Sequence, residues 1–172
     1  GLDVAANGKK DGVYGIYVVA VDNAGNTTTL TDSFVIDSVG PQVIGSLFYL
    51  NTRGGGTTIP EGQVYGATSE IDSIVVLLTD SSSQVSTEIG FKFNGGVSLS
   101  ASSISVTNLT TSQSLGGTLQ RVTDSMLIFW LTDSTPVSGN IEVQVTAFDV
   151  AGNQRSEVRT FKYDDQAPFY SI

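Results

Sequence analysis

The chain contains no cysteine and no histidine. Without cysteine there are no disulfide staples, no thiolate metal site and no thiol nucleophile. Without histidine the commonest general base and the commonest transition-metal ligand are missing, and the usual Ser-His-Asp hydrolase arrangement cannot be assembled. Any bound metal has to sit on oxygen, which points first to calcium. Charge is scarce as well. Only 15% of the residues are charged, and 8 basic side chains stand against 17 acidic ones, a net charge of −9. Phosphate backbones and anionic lipid repel such a chain, so nucleic acid and membrane surfaces are disfavoured as partners. The acidity suits a divalent cation, and solubility alone explains it equally well. No apolar run approaches the ~20 residues that span a bilayer, and no signal peptide is visible.

What is present is enough apolar material, 40% of the residues, to build a packed core. Ser, Thr, Gly and Asn replace charged residues as the polar surface, as in Thr27-Thr28-Thr29 and Ser81-Ser82-Ser83. At 172 residues the chain has room for one full domain and part of another.

An internal repeat organises it. Asp11–Pro41 aligns without a gap on Ser138–Pro168, an offset of 127 positions. Gly12, Ala20, Asp22, Ala24, Gly25, Asn26, Phe34, Asp37 and Pro41 recur as Gly139, Ala147, Asp149, Ala151, Gly152, Asn153, Phe161, Asp164 and Pro168. Self-similarity at a fixed period marks stacked modules. In the second copy Ile141, Val143, Val145 and Ala147 alternate with mostly polar residues, the period of a half-buried strand. By correspondence Tyr14, Ile16, Val18 and Ala20 are expected to face a core. Asn-Ala-Gly-Asn and Val-Ala-Gly-Asn then form tight turns, where Gly supplies positive φ and Asp bonds its own backbone. Each copy is thus a closing β-hairpin that runs into a Pro-bearing linker.

No helical periodicity survives, and many short strands separated by turn signals indicate two packed sheets. Strands are expected over residues 42–50, 63–67, 73–79, 88–93, 103–107, 118–121, 126–131, 140–148 and 155–163. Gly54-Gly55-Gly56, Asn94-Gly95-Gly96 and Leu115-Gly116-Gly117 separate some of them. The chain therefore reads as all-β, in three parts. Residues 1–39 are the C-terminal strands of a preceding module with its linker, Leu2 and Val4 marking a further strand. Residues 40–165 are one complete antiparallel sandwich, and residues 166–172 begin a following module.

The run DG-x-Y-x-I-x-V-x-A-x-D-N-A-G-N, then F-x-I-D and a Pro-bearing linker, resembles tandem bacterial Ig-like domains of cell-surface, surface-layer and adhesin proteins. Asp11–Pro41 carries this pattern, and Ser138–Pro168 carries it with substitutions. The resemblance is weak over Asn51–Ile89. It implies an Ig-like β-sandwich and a secreted, extracellular location. The implied function is non-catalytic: a structural or spacer segment in an adhesin stalk or surface-layer assembly. Its implied partners are neighbouring modules of the same chain, with other copies or cell-surface glycans as further candidates. The alternative is a carbohydrate- or protein-binding module of a secreted enzyme or adhesin.

Asp22 and Asp149 open the turns, and two readings stand. Either each aspartate caps its own turn, or Asp149 joins Asp37 of the linker and Glu70 of an earlier loop in an inter-module calcium site. The spacing lacks the order of a dedicated calcium loop. Trp130, with Tyr49 and Phe48, is open to core packing or to a carbohydrate-stacking platform. Period two places Leu127, Phe129 and Leu131 on one face and Met126, Ile128 and Trp130 on the other, as in a central strand covered on both sides. Glu61, Glu70, Glu88, Glu142 and Glu157 are scattered, so no carboxylate pair for glycoside hydrolysis is framed.

Overall fold

The computed structural model describes residues 10–43, 47–50, 56–66, 71–79, 101–123, 126–132, 138–149 and 151–167, with the backbone alone for 47–50, 79 and 123. These residues form strands and no helix. The chain divides into two compact units, residues 1–39 with 81–94 and residues 40–80 with 95–172.

In the first unit β1 (Gly12–Val21) and β2 (Thr27–Ile36) form an antiparallel ribbon. Tyr14 stacks on Phe34 across it, ring centroids 5.4 Å apart. Ile16 and Val18, expected to face a core, are 43% and 47% exposed. A two-stranded ribbon has two faces, and among the described residues no second sheet lies over either. Alternation fixes which residues share a face, and only an opposing layer buries that face.

The second unit begins with β3 (Gln42–Val43), β4 (Leu47–Leu50), β5 (Gly56–Ile59), β6 (Val64–Gly66) and β7 (Ser73–Thr79). It continues through β8 (Ser103–Asn108), β9 (Gln113–Leu115), β10 (Gly117–Thr123) and β11 (Met126–Leu131), and closes with β12 (Gly139–Phe148) and β13 (Gln154–Asp164). One sheet has the order β10-β11-β7-β4-β5, with β3 also pairing β7; the other has the order β6-β13-β12-β8-β9. All pairs are antiparallel except β6 with β13. Between the sheets Ile74, Val76 and Leu78 of β7 and Leu127 and Phe129 of β11 share one core with Ile104, Val106, Val143, Val145, Phe161 and Tyr163. This is a β-sandwich.

The alternating faces of β12 come out as the sequence reading requires. On β12, Ile141, Val143, Val145 and Ala147 are buried. Of the expected strand over 42–50, the described residues form β3 and β4, both paired with β7, and residues 44–46 lie outside the description. Two strands escaped the sequence reading. Gly56, read there as part of a break, opens β5, and Gln113–Leu115 forms β9. Both are short and carry little apolar alternation, which leaves periodicity nothing to detect. The strand expected over 88–93, the further strand at Leu2 and Val4, and the opening strand at 168–172 lie outside the described residues.

Side chains tie the two sheets together where β5 passes the chain to β6. Tyr65 of β6 packs edge-on against Phe161, centroids 5.6 Å apart, and its hydroxyl donates to Thr58 O of β5 at 2.9 Å. The turn between them meets the edge of β13. The Glu61 carboxylate accepts from Thr160 N at 3.0 Å, Gly62 N donates to Thr160 O at 2.9 Å, and Lys162 N donates to Gln63 O at 2.7 Å. Backbone groups that would otherwise form an open sheet edge are thereby satisfied.

Candidate functional site

The two closing hairpins coincide in register. Gly12 pairs with Ile36 and Val21 with Thr27; Gly139 pairs with Tyr163 and Phe148 with Gln154. Every pair of the first ladder recurs in the second at the offset of 127. Ile16 and Val143 therefore occupy equivalent places on equivalent strands, one 43% exposed and the other fully buried.

The turns repeat atom for atom. Asp22 N donates to Asn26 O at 2.9 Å and Gly25 N to Asp22 O at 3.0 Å; the corresponding bonds at Asp149, Asn153 and Gly152 are 3.1 and 3.3 Å. Gly25 and Gly152 have φ of +87° and +94°, which costs a residue with a Cβ steric strain. Asp22 accepts from Asn26 N at 2.9 Å and from Asn26 Nδ2 at 2.7 Å, and Asp149 accepts from Asn153 N and Nδ2, each at 2.8 Å. The Asn26 side-chain amide, helped by backbone amides, holds the Asp22 carboxyl below its ordinary value. Asp149 is 1% exposed. The capping reading of DxAGN is what the hydrogen bonds display.

The exits from the hairpins repeat too. Asp37 accepts from Val39 N at 3.2 Å, and its counterpart Asp164 accepts from Gln166 N at 3.0 Å, a short side-chain turn that directs the chain outward. Gly40 opens the second unit against the foot of β13. A Cβ there would fall 2.7 Å from Gln154 O, so only glycine passes without a shift.

Of the three residues expected to hold calcium, Asp149 is engaged with its own turn, Asp37 belongs to the first unit, and Glu70 lies outside the described residues. Among the described residues no three acidic side chains gather as a metal would need. Two depressions, of 320 and 360 Å³, include Asp22 and Asp164 respectively, and neither holds two carboxylates. Tyr49 pairs with Ile74 in the backbone ladder, and its side chain lies outside the description, as does that of Phe48.

Trp130 departs from the core reading. It is 41% exposed, and its indole N–H donates to Gln120 Oε1 at 3.0 Å. Its backbone partners are Thr118 and Ser73, too small to cover an indole. The strand is otherwise central, between β10 and β7, with Leu127, Ile128 and Phe129 buried.

Sequence reasoning missed the side chains at the base of each hairpin. Ser38 Oγ donates to Asp11 Oδ1 at 2.6 Å, and Asp11 is 7% exposed. At the equivalent positions the chemistry is exchanged: Ser138 Oγ donates to Asp165 Oδ1, and Asp165 N donates back to Ser138 Oγ at 2.8 Å. The Ser138 hydroxyl, followed by the Gln166 amide, holds the Asp165 carboxyl below its ordinary value. The signal was available in the repeat, as an Asp and a Ser that trade places at fixed offset. Beside this base Asn108 accepts from Thr110 N at 3.0 Å and stands where a Cβ on Gly139 would meet its Oδ1 at 2.5 Å. At Gly12 a Cβ would meet nothing within 4 Å. The first ribbon has no described counterpart of β8.

No curated protein matches the chain. Solved structures share its outline loosely. A CopC from Methylosinus trichosporium OB3b is 15% identical with a TM-score of 0.45, over 64% of this chain and 91% of its own. The N-terminal part of the bacterial S-layer protein SbsC is 15% identical with a TM-score of 0.42, over 75% of this chain and 24% of its own. The I67–I69 fragment of the titin I-band is 13% identical with a TM-score of 0.45, over 95% of this chain and 44% of its own. The family described as the bacterial Ig-like domain matches residues 4–38, a span that includes the first closing hairpin, and β12–β13 repeats that hairpin's register.

Proposed function

We propose that the chain is a non-catalytic spacer segment of an extracellular bacterial surface protein, in which Ig-like sandwiches follow one another as an adhesin stalk or a surface-layer assembly. The observation that carries this reading is the pair of hairpins with one register, one turn and one exit geometry, each leading into a Pro-bearing linker. Residues 1–39 are then the closing strands and linker of one module, 40–165 the next module, and 166–172 the start of a third. The boundary between Val39 and Gly40 supports the first division. Neighbouring modules are the expected partners, and the capped edge of β13 suits a module that must not pair side by side. Pulling single molecules by their ends tests the mechanical reading. One cooperative unfolding of 40–165 is expected, lengthening the chain by roughly 400–450 Å at ~3.6 Å per residue. Gradual extension without a resolved event contradicts a load-bearing module.

One observation favours a second reading, a carbohydrate-binding module: Trp130 presents part of its indole to solvent in a fixed orientation. Binding to a glycan array that disappears in Trp130→Ala supports this alternative. Absence of binding by the wild-type chain leaves the spacer.

A further inference from the structure

The exchanged pairs at the hairpin bases carry an inference of their own. In both copies a glycine with φ far into the positive region, +150° at Gly12 and +156° at Gly139, follows the first member of the pair. In both, the second member follows immediately after the Asp that caps the exit turn, Asp37 or Asp164. Between those fixed points one position holds a carboxylate and the other a hydroxyl, in opposite order. Two unrelated surface contacts have no reason to fall at the same offset with complementary partners. A single contact that tolerates either direction does, because a hydroxyl donates equally well to a carboxylate from either side.

We propose that Asp11–Ser38 and Ser138–Asp165 are the same device, a carboxylate–hydroxyl clamp that ties the strand entering each closing hairpin to the segment leaving it and thereby sets the direction in which the chain departs toward the next module. The geometry fits that role. Each clamp lies three residues before the linker proline, Pro41 or Pro168, and the donor bond from Asp165 N reaches back across the base of the ladder. In the first copy the clamp carboxylate is buried, and its Oδ2 has no hydrogen-bond partner among the described residues. Ser38 therefore supplies the one described side-chain bond to a group that is costly to leave unpaired. The clamp assumes that each hairpin ends a module, and it adds how that end is held.

Reciprocal exchange at the second copy tests it in the whole chain. Ser138→Asp sets two carboxylates face to face, and Asp165→Ser sets two hydroxyls there. Each single variant breaks the bond from the Ser138 hydroxyl to the Asp165 carboxylate and is expected to speed amide exchange at Gln166, in the exit turn beside it, by about tenfold, the loss of roughly one charge-assisted hydrogen bond. Each is also expected to lower the backbone order parameter at Gln166 and Ala167 toward ~0.6 from a rigid ~0.85. The double variant S138D/D165S reproduces the arrangement of the first copy and should bring both readouts back to within about twofold of wild type. The conservative variant Ser138→Thr keeps the hydroxyl and should leave both near wild type, and Asp165→Asn keeps a neutral acceptor and should fall between wild type and Asp165→Ser, which separates the clamp from general destabilisation. A double variant no better than the worse single, or singles that leave exchange and order unchanged, overturns the clamp. In either case the single-molecule unfolding step of 40–165 tests the module reading separately.

Discussion

At the scale of single residues, equivalent positions in two environments let one chain serve as its own control. Asp149 and Asp22 make the same bonds to Asn153 and Asn26, but Asp149 is buried and Asp22 is not. Asp149→Ala removes the buried acceptor of the Asn153 backbone and side-chain amides, at a cost of about 1–3 kcal/mol in denaturant unfolding of the second unit. Asp22→Ala removes the same bonds where water replaces them, and the unfolding midpoint should shift much less. Equal effects would show that burial is not what gives the Asp149 cap its weight. The DxAGN turn was legible in the sequence because its bonds are local, within four residues. The partner of Glu61 was not, because it lies 99 positions away and is met only after the ladder has formed, and the clamp partners, 27 positions apart, were marked only by the exchange of Asp and Ser between the copies.

At the scale of elements, the same hairpin is an exposed ribbon with no covering sheet among the described residues in one place and one wall of a sandwich in the other. Val18 and Val145 are the same residue type at the same register position, one 47% exposed and the other 1%. Val145→Ala should cost about 2 kcal/mol in equilibrium unfolding, as expected for deleting most of a buried valine, and Val18→Ala less than about 0.5 kcal/mol. Similar losses at both would place an unseen layer over β1. Facing was legible from alternation in β12. Whether a face is covered was not, since alternation in Tyr14–Ala20 is the same whether or not a second sheet exists. Trp130 shows the limit from the other side. Period two puts it opposite Phe129, and only the smallness of Thr118 and Ser73 leaves it uncovered. At the sheet edge Glu61 accepts from the Thr160 hydroxyl and amide, and these bonds hold its carboxyl below the ordinary 4.5. The folded state therefore binds that proton less readily than the unfolded one. The contribution is complete above pH 4.5 and is lost as pH falls below it. Wild-type melting temperature should drop through that acidic window more steeply than that of Glu61→Gln, and parallel curves would remove Glu61 from the account.

At the scale of the whole molecule, the account has one packed sandwich joined to an element of the same design that lacks its counterpart sheet among the described residues. Because the Asp149 carboxylate is committed to Asn153, melting of residues 40–165 should be the same in EDTA as in 1–10 mM calcium, enough to fill weak extracellular sites. A rise in calcium would bring back the site of Asp37, Glu70 and Asp149. The central claim is that β1–β2 and β12–β13 are one element in two states of burial. Residue-resolved amide hydrogen exchange on the intact chain tests it most directly. Slow exchange, approaching the global unfolding limit, is expected along β7, β8, β11, β12 and β13, while the β1–β2 ladder exchanges orders of magnitude faster at matching positions such as Val18 against Val145. Equal protection of the two hairpins would contradict the account.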